Sequence, residues 1–326
     1  MVVRLDADAD WKLMTAWRAK ISAESQGAIL LVAGISIFGF SDNLTMLASD
    51  DVGVGQFHFS RSLFAIFMVA ILGKLLGLSV IPKLWKPVLV RTLFMVIAIF
   101  LYFSVMPMMA IAEAGAGLFT SPIFALLFSA ILFQERIGWR RIIAVVMGSC
   151  GVLLILRPGS DGFSPYHLIP VLSGASYAFG SIITFRYLSD ESPLAILMSF
   201  IVAIGLCGGA FATGLTVLPV SQELITQAPF LFRGWQVVDV WFWIWMGVIA
   251  TGACMALSMM TRAYQIAQTS YAAIYEYAYL ISVGFFSWVF WGVVPGMLSI
   301  AGIVLIIFAG VLIVLAQQGK DQHAGQ

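Results

Sequence analysis

Charge is what this chain has least of. Only 10% of its 326 residues are Asp, Glu, Lys or Arg, while 61% are hydrophobic, and the mean hydropathy is +1.00. A water-soluble fold of this length would have to hide more apolar surface than it can bury, so a soluble enzyme or carrier is excluded. With 17 basic and 16 acidic residues there is no basic surplus to hold a nucleic acid. Cysteine is rare: Cys150, Cys207 and Cys254 lie inside apolar runs without metal-binding spacing and read as packing residues. The histidines, His58, His167 and His323, are scattered, so neither a metal site nor a cofactor is expected. The first 26 residues are too charged, and the apolar run after them too long, for a cleavable signal peptide. Segments of alternating polarity, the mark of a membrane β-barrel, are missing too.

What remains is a set of ten apolar stretches, near 27–48, 55–78, 88–110, 115–133, 141–157, 167–188, 193–217, 238–261, 269–290 and 296–316. Each is close to the roughly 20 residues that cross a bilayer core as a helix. The expected fold is therefore an all-α integral membrane protein of ten transmembrane helices. With the amino terminus inside, 14 Lys and Arg fall on the inner side and two, Arg157 and Arg233, on the outer, with Arg61 left within the second span. That asymmetry places both termini in the cytoplasm and the protein in the cell inner (plasma) membrane. The expected segments are a cytoplasmic tail at 1–26, with an amphipathic piece around Trp11 to Ala19, a first repeat at 27–157, a second at 158–316 and a second tail at 317–326. The longest loop, 218–237, reads as interfacial, and no soluble domain is left to house catalysis.

Five spans per half force the halves to face opposite ways. Faint echoes support a repeat: Phe38-Gly39 with Phe179-Gly180, and Gly151 to Leu154 with Gly310 to Ile313. Two inverted five-helix repeats are the architecture with which alternating-access carriers exchange an inward-open for an outward-open cavity.

One stretch is more specific. Arg91, Leu101-Tyr102-Phe103, Ala110, Ala112, Ser121-Pro122-Ile123-Phe124-Ala125-Leu126-Leu127, Phe133-Gln134-Glu135-Arg136, Trp139-Arg140-Arg141, Gly148, Gly151 and Arg157-Pro158 resemble the EamA family of the drug/metabolite transporter superfamily. Thr261-Arg262-Ala263-Tyr264, Trp291-Gly292, Pro295-Gly296, Ala301-Gly302 and Gly310 continue the likeness in the second half. The resemblance implies ten helices in two inverted repeats, a central substrate cavity and transport without ATP hydrolysis. Carriers of amino acids, S-adenosylmethionine and riboflavin are known within the family. Val293 stands where the second copy often has an acidic residue, and Glu276 where an apolar or aromatic residue is usual.

Ionisable groups deep in spans are the strongest candidates for function, because each is costly unless paired or wet. Glu276 lies in the ninth span among Tyr271, Tyr275, Tyr277 and Tyr279. Tyr271, Tyr275 and Tyr279 form one i, i+4, i+8 stripe, and Glu276 shares a neighbouring face with Tyr279. A carboxylate beside electron-rich rings suits a desolvated cation. The alternatives for Glu276 are an ion pair with Arg61 or His58, or proton coupling. Ser41 on the first span, with Ser36 and Asn43, and Tyr177 on the sixth, on a hydroxyl-rich face with Ser173, Ser176, Ser181 and Thr184, join Tyr102 as substrate-contact candidates. Asp42 is expected to be wet near the outer helix end. Glu135, with Arg140, and Pro122, as a mid-helix kink, read as gating or structural. So do His58 and Arg61, which lie three apart on one face; Arg61 could equally snorkel to the outer interface.

The expected function is secondary-active transport of a small metabolite bearing a cation: an amine, an amino acid or a sulfonium such as S-adenosylmethionine. A riboflavin-like substrate is the alternative, stacking on the tyrosines. A channel or a membrane-embedded enzyme is the reading from another class, and the chain shows neither a filter-like repeat nor clustered catalytic groups. Partners are the substrate and the lipid bilayer; proton coupling and a homodimer are left open.

Overall fold

Uninterrupted apolar sequence with few breakers makes helices, and the computed structural model is helical throughout, with no strand among the described residues, 23–49, 51–118, 120–134, 139–156, 165–218, 220–266 and 278–324. The principal helices are α1 (Ala23–Leu44), α2 (Val54–Leu76), α3 (Trp85–Val105), α4 (Ile111–Leu118), α5 (Ser121–Phe133), α6 (Trp139–Leu156), α7 (Ile169–Tyr187), α8 (Pro193–Val217), α9 (Val240–Ile266), α10 (Ala278–Trp291) and α11 (Met297–Ala324). Among the described residues seven helical stretches are long and apolar enough to cross a membrane. The other three expected spans, 141–157, 269–290 and 296–316, correspond to shorter apolar helical stretches in α6, α10 and α11. Large side chains such as Phe67, Ile131, Leu206, Phe285 and Phe308 point outward from the bundle. So much exposed hydrocarbon is stable only against lipid, and the chain is a multi-pass membrane protein.

Packing follows a definite pairing. α1 lies against α9 and α10, α2 against α8 and α9, α3 against α7 and α8, α4 and α5 against α7, and α6 against α11. Two of these crossings are made by glycine. A Cβ on Gly55 or on Gly208 would sit 2.6 Å from the other's carbonyl oxygen, so α2 and α8 touch backbone to backbone. Gly151 and Gly302 do the same for α6 and α11, at 2.8 and 2.6 Å. Lipid supplies no hydrophobic force between helices, so close van der Waals approach through small residues has to hold them together.

Several expectations change. Pro122 does not sit in mid-helix: Thr120 is a turn residue and α5 begins at Ser121, which puts Pro122 in the first turn, where its missing N–H costs no intrahelical bond. Ser173 and Ser176, expected on a face lining a pathway, are engaged with a neighbouring helix. Their hydroxyls donate across to α3, to the carbonyls of Ala98 at 2.6 Å and Phe94 at 2.7 Å, while Thr184 bonds back to Gly180 in its own helix. Of the three cysteines only Cys254 is buried; Cys150 and Cys207 are exposed. Gly39 packs on α10 and Gly180 on α3, so the two Phe-Gly pairs do not meet equivalent neighbours. The 218–237 loop is more than interfacial, because it folds into short helices at Gln222–Gln227 and Pro229–Phe232 and drives Phe230 into the core against Phe57. α11 continues to Ala324, through most of the segment expected as a tail. The amphipathic piece at Trp11 to Ala19 lies outside the described residues.

Loops tie both ends of α2 to the second half of the chain. At one end the Gln56 side chain donates to the Gln236 carbonyl at 2.9 Å and accepts from its amide at 2.8 Å. At the other, buried Glu191 accepts from the backbone amides of Leu84, Lys83 and Ser192 at 2.7, 2.8 and 2.9 Å, and Ser192 donates to the Ser79 carbonyl. Burial pushes the Glu191 carboxyl up, but those three amides and the Lys83 charge outweigh it and hold the group below the ordinary 4.5. A depressed carboxyl contributes stability above its unfolded pKa and loses it as pH falls through the folded value. Glu191→Gln should therefore lower the melting temperature of detergent-purified protein at pH 7, by about 1–3 kcal/mol of stability. The gap to wild type should close on acidification below the usual glutamate range; a gap independent of pH would contradict the role.

Candidate functional site

The site begins where α1 ends. Asp42 and Asn43 occupy its last turn, and Asn43 fixes that turn by donating from Nδ2 to the Gly39 carbonyl at 2.8 Å and to the Val283 carbonyl of α10 at 3.2 Å. Asp42 is expected to be wet from its position near a helix end, yet it is 3% exposed. The reason is that two other helices close over it. Tyr279, in the first turn of α10, donates to Asp42 Oδ2 at 2.6 Å, and Tyr102 of α3 donates to the same oxygen at 3.3 Å. The two tyrosine hydroxyls also touch each other. Gly115 of α4 makes room for the Tyr279 ring, since a Cβ there would fall 2.7 Å from ring carbon Cε1.

α2 brings the opposite charge. Arg61 lies about 10 Å along α2 from its first residue by helical rise, and it is 8% exposed. It does not snorkel. Its guanidinium sits 4.9 Å from the Phe103 ring centroid and 5.3 Å from that of Phe57, and Nη2 donates to His58 Nδ1 at 3.2 Å. His58 is fully buried and is packed by Phe57, Phe100 and Phe103. Cation–π contact and a neutral hydrogen-bond acceptor thus carry a charge that ordinarily finds a carboxylate. Arg61 is within electrostatic reach of Asp42, but among the described residues no ion pair joins them.

Of the expected site residues, the structure gathers Tyr102 and Tyr279 around Asp42 and sets Arg61 and His58 close by. Ser41, adjacent to Asp42, packs toward Gly252 of α9, and among the described residues its hydroxyl has no partner. Tyr177 is apart, half-buried against the apolar cluster of α2, α3, α8 and α9. Glu276, Tyr271, Tyr275 and Glu135 lie outside the described residues, and Arg140 falls in the first turn of α6. Asp42 is the residue that the sequence reading passed over as a site candidate. Being a carboxylate inside an apolar span was the signal for it, and only its place near the helix end argued the other way. The contributions of Phe57, Phe103 and Phe230 have no sequence signal, since phenylalanine is common throughout the chain.

A cavity of about 80 Å³ lies between α4, α6, α10 and α11 beside Glu113, Ser287 and Ser299. It has room for a few waters and not for a metabolite.

A multi-pass helical membrane protein with a carboxylate, a guanidinium and aromatic rings buried between its helices is the class defined by this geometry. A model of the EamA-like transporter family matches residues 25–157, which agrees with the resemblance read from Arg91 to Pro158. Over 298 residues the chain is 24% identical to the pseudopaline exporter of Pseudomonas aeruginosa, covering 90% of this chain and 97% of the relative. It is 29% identical over 208 residues to a riboflavin transporter of Brucella anthropi, covering 63% and 68%. It is 24% identical over 211 residues to an S-adenosylmethionine uptake transporter of Rickettsia prowazekii, covering 64% and 65%. A crystal structure that is 18% identical shares the fold, with a TM-score of 0.62 over 89% of this chain and 96% of that one.

A carboxylate that owes its burial to two hydroxyl donors should be thermodynamically coupled to them. In a double-mutant cycle, Tyr279→Phe and Asp42→Asn should each destabilise the purified protein, with a coupling of about 1–2 kcal/mol between them. Additive effects would mean that the short contact contributes nothing.

Proposed function

We propose that this chain is a secondary-active transporter of a small metabolite, working by alternating access of two inverted five-helix halves, 27–157 and 158–316, in the inner membrane with both termini cytoplasmic. The observation that carries the reading is the buried Asp42, Tyr102 and Tyr279 cluster, which joins α1 and α3 of one half to α10 of the other. A polar centre at the contact of the halves is where a substrate can bias one conformation against the other. The helix pairing supports two like halves. With α4 and α5 counted as one pass, replacing each helix by its counterpart in the other half turns the α1–α9 contact into α7–α3, α1–α10 into α7 with α4 and α5, and α2–α9 into α8–α3. The remaining crossings, α2–α8 and α6–α11, pair counterpart with counterpart through glycines 153 and 151 residues apart.

Asp42 with its tyrosines favours a cation: an amine, an amino acid or a sulfonium such as S-adenosylmethionine, the substrate named for the Rickettsia relative. Glu276, three residues before Tyr279 in sequence, is proposed to add a second carboxylate, and Tyr271 and Tyr275 further aromatic wall. A flavin is the second reading, favoured by the near-parallel Phe57 and Phe103 rings, 5.6 Å apart, and by the riboflavin-transporting relative. Glu135 and Arg140 are proposed as a structural tie at the inner helix ends.

The test is transport by reconstituted vesicles offered S-adenosylmethionine or riboflavin. A cation carrier loses at least tenfold of its S-adenosylmethionine flux in Asp42→Asn and in Glu276→Gln while both variants stay folded. Riboflavin flux indifferent to both changes would make it a flavin carrier, and flux of neither above empty vesicles would count against both substrates.

A further inference from the structure

Hydrogen-bond inventory around Arg61 leaves a one-sided surplus. Guanidinium nitrogens only donate, so the Arg61 to His58 bond makes Nδ1 the acceptor and puts the imidazole proton on Nε2. That Nε2 is fully buried and has no partner among the described residues. Arg61 uses one of its five N–H groups; the rest have no acceptor among the described residues. The end of α1, whose Asp42 lies within electrostatic reach of Arg61, carries acceptors to spare. Among the described residues Asp42 accepts at Oδ2 alone, and the buried Asn43 Oδ1 and Ser41 Oγ are unpartnered. Donors without acceptors on α2 and acceptors without donors on α1, walled by Phe57 and Phe103, are not satisfied by each other. Native interiors rarely leave such groups idle, and a cluster of them calls for an occupant.

We propose that Arg61 and His58 form a carboxylate-binding subsite beside Asp42, so that the transported metabolite carries a carboxylate as well as a cationic or hydrogen-bond-donating group. A planar guanidinium matches a carboxylate through two parallel bonds, which the compact ammonium of lysine cannot reproduce. Aromatic walls exclude the water that would otherwise compete. The bound carboxylate supplies the acceptor missing from α2, and the substrate's donor meets Asp42 and Asn43 on α1. The subsite rests on the transport reading and narrows its substrate.

The experiment uses the full chain reconstituted in vesicles and offered an equimolar mixture of S-adenosylmethionine, decarboxylated S-adenosylmethionine, lysine, cadaverine and riboflavin, with the internal contents read by mass spectrometry. At least one carboxylate-bearing member should enter tenfold or more above its decarboxylated partner. That preference should fall to within twofold in Arg61→Gln and be partly retained in Arg61→Lys, whose elution as a folded protein guards against simple misfolding; His58→Gln should weaken it less. Equal entry of partners, entry of riboflavin alone, or a preference unchanged by Arg61→Gln overturns the subsite and leaves transport standing. Accumulation of nothing above protein-free vesicles removes transport of this mixture and the subsite with it.

Discussion

Burying charge where no water can follow is the constraint on which this structure turns. Asp42 is held by hydroxyls from α3 and α10, and Arg61 by two phenyl faces and one imidazole. The charges lie on consecutive helices and, among the described residues, do not close into an ion pair, although pairing is the usual way for a low-dielectric interior to hold both. Each is instead stabilised by its own shell, and each shell recruits a different set of helices. The bundle's inner geometry follows: α10 must bring Tyr279 up to Tyr102 of α3, Gly115 must stay small beneath that ring, and the loop after α8 must send Phe230 inward to finish the apolar wall around Phe57.

Around this polar centre the crossings are spare. Gly55 with Gly208 and Gly151 with Gly302 bring backbones into contact, and serine hydroxyls of α7 bond to carbonyls of α3. Interfaces of small residues and few directional bonds can slide or rock with little loss of buried area, as alternating access demands of the proposed halves. The ties at the ends of α2, the Gln56 to Gln236 exchange and the Glu191 amide clamp, are more directional and mark where such motion would meet resistance.

Much of the fold was legible in the sequence, because hydropathy reports directly on what a bilayer accepts. The run of helices is there to read, but the turn at Thr120 that puts Pro122 at a helix start is not: a mid-helix proline and a first-turn proline look the same in composition. The site was legible in part. Arg61, His58, Tyr102 and Tyr279 were singled out as unusual residues in apolar spans, and the structure brings them near one another. Asp42 was discounted because distance along a helix says nothing about what folds over its end. Ser173 and Ser176 were read as lining a path because a hydroxyl in a span looks the same whether it faces a cavity or a neighbour's carbonyl. Tertiary contact decides such cases, and sequence periodicity carries no information about it.

Two-sided exposure of the polar centre is the central claim, and site-directed thiol labelling tests it most directly. In protein with Cys150, Cys207 and Cys254 replaced by alanine, a single Ser41→Cys beside Asp42 would be treated in oriented vesicles with a membrane-impermeant thiol reagent from one face and then from the other. Alternating access predicts modification from both faces, with the ratio shifted by a transported metabolite. Labelling from one face alone, whatever is added, would contradict it and leave a static polar core.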